Sequence, residues 1–317
     1  MIRLPGTRRN ALAKTLLVFG GLLTGLLLVE VILWTCDPFD YTEIEDRDLL
    51  ASNILSVDVG RPRLIPGVRA EYRDKLFAIN SEGLRNREVL REKPPSTFRI
   101  MVLGGSVPFG WGVRESECFP RLIETRLNED RGRSATSVEV VNAAVPGYGL
   151  HQQLQQIEEI GHRYSPDMVI VPVMWGNVPS HSSRSSRFLS PGFRKNIRTL
   201  RLVEILFMKL MGDDSGNPYW RPSDLDPRGV KAVSFGLGLF KQVCDRLGTR
   251  MIVLDALGID SLVGTCARLG VFRMPFQTDL QWLKRHRISD RDAHPDEKGH
   301  LRIAKCVVRQ LRLEIPR

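Results

Sequence analysis

Four side-chain types that acyl-transfer chemistry requires stand at separated points of this 317-residue chain. Ser106 follows Gly104 and Gly105. Gly147 closes Asn142-Ala143-Ala144-Val145-Pro146-Gly147. Asn177 ends Trp175-Gly176-Asn177. His294 sits in Asp290-Arg291-Asp292-Ala293-His294-Pro295. A serine hydroxyl becomes a nucleophile when a neutral imidazole takes its proton and a carboxylate orients that imidazole. Donors must also point at the oxygen that becomes negative in the transition state. Ser106 can supply the hydroxyl and its own N–H, and Gly147 a second N–H with no side chain in the way. Asn177 can supply an amide. His294 is then the base, with Asp292 the first candidate to orient it and Asp290 the second.

The same residues admit plainer readings. A serine after two glycines is an ordinary turn, and a lone histidine is usually structural. Gly104-Gly105 and Gly110-Trp111-Gly112 suggest a phosphate loop, but no Lys-Ser/Thr follows Gly110. His294 and His300 suggest a metal pair, but no third ligand stands at useful spacing. No cofactor and no metal are expected.

The elements that must position these residues begin near Phe98. Apolar runs at Arg99–Leu103, Val138–Val141, Met168–Met174 and Met251–Leu254 read as strands. Helical spacing links Phe119, Leu122, Ile123 and Leu127, then Leu150, Leu154, Ile157 and Ile160, then Leu301, Ala304, Val308 and Leu311. Alternating strands and helices, with Met168–Met174 apolar enough to be central, predict an α/β fold: a three-layer α/β/α domain with a mostly parallel sheet. Sites in such sheets form at the carboxyl ends of strands, where Ser106, Gly147 and Asn177 fall. A long insert, 178–228, separates the third and fourth strands. Its segment Leu200–Met211 is apolar enough to touch a membrane, though a helix packed on the domain is the preferred reading.

The order and spacing of these blocks resemble the SGNH hydrolases, also called the GDSL esterase/lipase superfamily, over roughly Ile79 to Arg309. The blocks are Arg99–Val113 around Ser106, Val141–Gly147, Trp175–Asn177 and Asp292–His300. Ile79-Asn80-Ser81-Glu82-Gly83-Leu84-Arg85 is also similar to the lead-in of membrane-anchored bacterial members. The resemblance implies a flavodoxin-like SGNH fold, a nucleophile at Ser106, an oxyanion hole of Ser106, Gly147 and Asn177, and a catalytic His294. Three positions depart from the family pattern. Gly105 replaces the Asp before the nucleophile, Val178 replaces the Asp after Asn177, and Arg291 stands where the triad Asp usually lies.

The amino-terminal region bears on location. Thr15–Trp34 carries one charge, Glu30, and about 20 helical residues span about 30 Å, a bilayer core. Arg3, Arg8, Arg9 and Lys14 precede it with no acid, so the basic end stays cytoplasmic and the rest lies outside. No small-residue cleavage pattern follows the run, which favours an anchor over a signal peptide. Trp34 and Thr35 make Cys36 a poor lipoprotein cysteine. Gly21 and Gly25 have the spacing of a helix-dimer face, which would make a homodimer. The expected organisation is a cytoplasmic tail (1–14), an anchor (15–34), a stalk and lead-in (35–97), and the α/β domain (98–317).

Net charge is +10, of which +6 lies beyond residue 14 in scattered arginines. No basic run interleaves with aromatics, so nucleic acid is not an expected partner. The five cysteines show no metal spacing and read as core thiols. The leading expectation is a membrane-anchored, extracytoplasmic serine esterase. From the family resemblance, its substrate would be a short acyl ester on a cell-envelope glycan. Acyl transfer to a glycan would use the same residues. A catalytically silent glycan-binding module and a lipase acting on the adjacent bilayer are the remaining alternatives.

Overall fold

A computed structural model describes residues 6–38, 41–58, 61–131, 136–174, 198–200, 202–203, 227–276, 280–289 and 292–315. The chain divides into two compact units. One comprises Met1–Arg47 and Arg184–Gly216, the other Asp48–Ser183 and Asn217–Arg317.

The first unit is built on α1 (Gly6–Cys36). Within it, Ala13–Cys36 is long and apolar enough to cross a membrane. Its large side chains lie open around the helix: Leu17 is 79% exposed, Phe19 67% and Ile32 53%. An apolar surface of this extent needs lipid or another partner to cover it.

The second unit opens with α2 (Tyr41–Ile54), which starts in the first unit, and two antiparallel hairpins. These are β1 (Leu55–Asp58) with β2 (Arg61–Leu64), and β3 (Arg69–Tyr72) with β4 (Lys75–Ala78). The main fold follows as β5 (Thr97–Val102), α3 (Ser106–Phe109), α4 (Phe119–Arg131), β6 (Ser137–Asn142), α5 (Leu150–Tyr164) and β7 (Met168–Val173). It continues as α6 (Pro227–Arg246), β8 (Arg250–Asp255), α7 (Asp260–Leu269), β9 (Phe272–Pro275), α8 (Leu280–Arg285) and α9 (Glu297–Leu311).

The five main strands form one sheet in the order β6-β5-β7-β8-β9, all parallel. The central strand β7 is buried at every position, which is why it reads as an unbroken apolar run. Strand alternation sorts the core into two layers. Met101, Val141, Val169, Val171 and Val253 face α5, α6 and α7 through Ile157, Leu237, Phe240 and Leu262. Ile100, Val102, Val140, Ile170 and Ile252 face α4 and α9 through Phe119, Ile123, Ile303, Ala304 and Val307. Each fully buried side chain of this size contributes about 1.5–3 kcal/mol. The result is the expected three-layer α/β/α fold around a parallel sheet. A fifth strand, β9, and helices α6, α7 and α8 join the elements that periodicity pointed to.

A third apolar cluster supports the site. Leu50, Ile54, Leu64, Tyr72, Phe77 and Ile79 pack on Phe109, Trp111, Val145 and Tyr148, which belong to the loops after β5 and β6. Cys118, Cys244 and Cys266 are buried and Cys306 is half-buried. Burial pushes the Cys118 thiol up to about 11 and Cys244 up to about 12, so both behave as small apolar side chains.

Candidate active site

Ser106 is the first residue of α3, at the carboxyl end of β5. The turn into it needs glycine at 104. There φ is +140°, and a Cβ would lie 2.4 Å from Cγ of Pro108. At Gly105 a Cβ would come within 3.1 Å of the Tyr148 carbonyl oxygen, so an aspartate there would require the 145–148 turn to move. This gives a steric reason for glycine at that position. Gly104→Ala should lower stability by about 1–3 kcal/mol through overpacking, read as a lower urea midpoint, with a further cost from the positive φ.

The structure brings Ser106, His294 and Asp292 into one chain of hydrogen bonds. Ser106 Oγ lies 2.6 Å from His294 Nε2, across 188 residues of sequence. His294 Nδ1 lies 2.5 Å from Asp292 Oδ1, which also accepts the His294 backbone N–H at 3.0 Å. A carboxylate only accepts, so Nδ1 carries the proton and Nε2 faces Ser106 as acceptor. Asp292 is 2% exposed. Its loop is closed by backbone bonds from Ile288 N–H to the His294 carbonyl, Ser289 N–H to the Asp292 carbonyl and Asp296 N–H to the His286 carbonyl. The Ser289 hydroxyl accepts the Asp292 N–H at 3.0 Å. Asp290 and Arg291 lie outside the described residues.

Gly147 occupies the third position of a Val145–Tyr148 turn. The Tyr148 N–H donates to the Val145 carbonyl at 3.1 Å, and φ at Gly147 is +82°. Proline at the second position and a positive-φ glycine at the third make a type II turn. Gly147 is exposed between buried neighbours, and a Cβ on it would meet open space. Val145 N–H bonds to the Gly104 carbonyl at 3.0 Å, which ties this turn to the nucleophile turn. Asn177, with Trp175 and Gly176, lies outside the described residues, as does most of the insert.

Three supporting residues had no role assigned from sequence. Asn142, at the end of β6, donates to the Pro108 carbonyl at 2.9 Å and accepts the Ala144 N–H at 3.2 Å. Trp111 packs beside the His294 ring with 6.2 Å between centroids. Arg85 is fully buried and donates to the carbonyls of Phe109 (3.0 Å), Gly110 and Val113 (2.6 Å). Its guanidinium lies 4.0 Å over the Phe77 ring. Burial holds its pKa down at about 10, still a cation at neutral pH. Only the sequence resemblance of the 79–85 stretch pointed towards it. Arg85→Met would strand three buried carbonyls and should cost about 3–5 kcal/mol, seen as a large drop in the urea midpoint. Arg85→Lys should recover part of this.

His300 is spoken for structurally. Its Nδ1 accepts the Phe119 N–H at 3.2 Å, and its ring stacks on Phe119. Among the described residues, no three His, Cys, Asp or Glu side chains gather to hold a metal. Burial pushes the His300 pKa down to about 3 from 6.5. The neutral ring is favoured in the folded state, so its contribution is full above about pH 6.5 and is lost as pH falls towards 3. In that window His300→Gln should remove up to one proton from the pH dependence of unfolding, about 1.4 kcal/mol per pH unit.

Fold and site together define the class. This is an α/β protein with a parallel sheet whose carboxyl edge carries a hydrogen-bonded serine–histidine–aspartate chain. No family model matches the sequence, and no curated protein matches it. Solved structures do. The esterase EstA from Pseudoalteromonas sp., inhibited by monoethylphosphonate, aligns at 12% identity with a TM-score of 0.46, over 68% of this chain and 98% of that one. A lipolytic protein of the G-D-S-L family from Desulfitobacterium hafniense aligns at 11% and 0.41, over 67% and 98%. A two-domain esterase active on acetylated mannans aligns at 13% and 0.42, over 68% and 49%. At these identities the likeness is one of fold.

Proposed function

We propose that this protein is a serine esterase of the SGNH type that cleaves acyl esters through an acyl-enzyme. The observation that carries the reading is the continuous chain Ser106 Oγ–His294 Nε2 at 2.6 Å and His294 Nδ1–Asp292 Oδ1 at 2.5 Å. Ser106 Oγ attacks the ester carbonyl carbon while its proton passes to Nε2. The buried Asp292 carboxylate holds the tautomer and stabilises the imidazolium that forms. The negative oxygen of the tetrahedral intermediate is held by the N–H groups of Ser106 and Gly147 and by the Asn177 amide. Nε2 then gives its proton to the leaving alcohol, and the C–O bond breaks. Water repeats the sequence on the acyl-Ser106 ester, releasing the acid and the free hydroxyl.

The exposed turn at Gly147 supports its place in this scheme. Gly147→Ala would strain a backbone at φ +82° and shift the donor. A fall in kcat of about 10²–10³-fold is expected, the range for losing one oxyanion donor, with the acyl-enzyme still forming slowly.

We assign the substrate to short acyl esters, O-acetyl first, on glycans of the cell envelope. This follows the sequence resemblance to anchored bacterial members. The apolar α1, its outward-facing leucines and the cations before it support a single-pass anchor with the catalytic unit outside the cytoplasm. The test is intact mass of the protein after a fluorophosphonate probe. One adduct on the wild type and none on Ser106→Ala supports the reading. No adduct on either folded protein favours a silent glycan-binding module.

A further inference from the structure

Within the first unit, the apolar helix α1 carries a carboxylate with an elaborate set of partners. Glu30 accepts the backbone N–H of Arg198 at 2.8 Å and of Thr199 at 2.8 Å, and the Thr199 hydroxyl as well. The Trp34 indole N–H donates to it at 3.0 Å. Arg198 in turn is 2% exposed. It donates to the Leu33 carbonyl at 2.9 Å and to the Thr42 hydroxyl at 3.1 Å, and it pairs with Asp37 at 3.4 Å. Its guanidinium lies 4.1 Å from the centre of the Trp34 ring. Residues 198–200 and 202–203 are helical.

The physical sense of this arrangement is reciprocal. The first N–H groups of a helix have no internal partner, and an anion placed there is stabilised. A carboxylate on an otherwise apolar helix is costly near lipid unless hydrogen-bonded. Glu30 and the start of the 198–203 segment solve each other's problem. Glu30 stands six residues before Cys36, the last residue of α1, which is about 9 Å along the helix axis. With α1 in a bilayer and the Ala13–Cys36 span centred in it, Glu30 lies about 8 Å from the midplane, in the outer half of the hydrocarbon, and Trp34 about 14 Å from it, at the headgroup boundary where tryptophans concentrate. The Arg198 guanidinium, against the Trp34 ring and Asp37, is thereby held at that boundary. Past it, Val203 is 58% exposed, and the sequence continues as Glu204-Ile205-Leu206-Phe207-Met208.

We propose that α1 is retained as a docking post and that its Glu30 carboxylate holds residues 198–203 at the outer membrane interface, with Val203 against phospholipid. This rests on reading α1 as a membrane anchor. It places residues 198–200 and 202–203 among lipid headgroups rather than in free solution. Removal of α1 as a signal peptide would take away the Glu30 carboxylate that accepts the Arg198 and Thr199 N–H groups and the Leu33 carbonyl that accepts from the Arg198 guanidinium.

The test uses the full chain in phosphatidylcholine–phosphatidylglycerol vesicles, with Cys36→Ser and Cys306→Ser to clear accessible thiols. A fluorophore is attached through Val203→Cys in one protein and through Leu23→Cys in another. Lipids carry a spin-label quencher either near the headgroup or at the bilayer centre. The Leu23 probe should be quenched most from the centre. The Val203 probe should be quenched at least about twofold more by the shallow label than by the deep one, in line with an interfacial segment. Glu30→Ala and Arg198→Ala should each abolish that difference while the Leu23 probe is unmoved. A quenched Leu23 probe with an unquenched Val203 probe overturns the proposal and leaves the anchor standing. Two unquenched probes overturn both. If either clamp variant fails to fold, the Val203 measurement in the otherwise unaltered chain still decides. Intact mass of the protein isolated from the producing cells is a second check. A mature chain beginning after Cys36 would overturn the proposal.

Discussion

Ester turnover by Ser106→Ala should fall at least about 10⁴-fold in kcat, with the fold intact. Removing the nucleophile of a hydrogen-bonded triad removes the covalent route, and what survives is the modest rate that oxyanion donors and binding alone supply. Alanine fills less space than serine at a half-buried position, so the urea midpoint should move little. That separation makes the variant informative. A large loss of kcat with unchanged stability assigns the chemistry to Oγ. Equal turnover by Ser106→Ala and wild type would remove the esterase reading altogether. A fluorogenic acetyl ester is sufficient as substrate, because the prediction concerns the nucleophile and not the alcohol.

The second large effect is expected at Asp292. Asp292→Asn keeps the shape of the side chain but presents an amide to Nδ1. The imidazole is then free to turn its protonated nitrogen towards Ser106, and the base is lost. A wrong tautomer of this kind costs about 10⁴-fold in kcat in serine triads. The effect should sit in kcat, because Asp292 is buried behind His294 and substrate contacts are made elsewhere. Asp290→Asn serves as the control and should change kcat less than about tenfold. If the two results are exchanged, Asp290 is the orienting acid and the 286–296 loop must rearrange when substrate binds. If neither matters, a serine–histidine dyad operates.

The sequence made the sheet legible where burial is symmetrical. Strands β7 and β8 are apolar over most of their length and β5 and β6 keep apolar runs broken only by Arg99 and Glu139, so all four strand boundaries fall within a residue or two of the apolar runs. β9 reads Phe272-Arg273-Met274-Pro275, with only Met274 fully buried. A four-residue edge strand with one core contact leaves too little pattern to recognise. The two early hairpins escaped for a related reason. Arg69–Tyr72 buries only Tyr72, and a single buried residue has no period. The strand order β6-β5-β7-β8-β9 was also out of reach, since it is set by which crossovers pack and by no local signal.

At the site, residue types announced themselves but their supports did not. Arg85 is an example. A buried arginine whose hydrogen bonds among the described residues go to backbone carbonyls looks in sequence like any surface arginine. Gly105 is another. Its meaning depends on the Tyr148 carbonyl oxygen 3.1 Å from where a Cβ would stand, 43 residues further along the chain.

By itself the sequence determined the class of architecture, the apolar amino-terminal helix and the short set of groups able to perform acyl transfer. These follow from local properties: hydrophobic period, run length and the intrinsic chemistry of serine, histidine and aspartate. The tertiary structure decided which carboxylate among the described residues reaches His294, how the histidine loop closes against the nucleophile turn, and that Glu30 has a partner 168 residues away. Those outcomes depend on contacts between segments that no local pattern links. The pairing of Ser106 with His294 is created only when β5 and α9 pack on the same sheet.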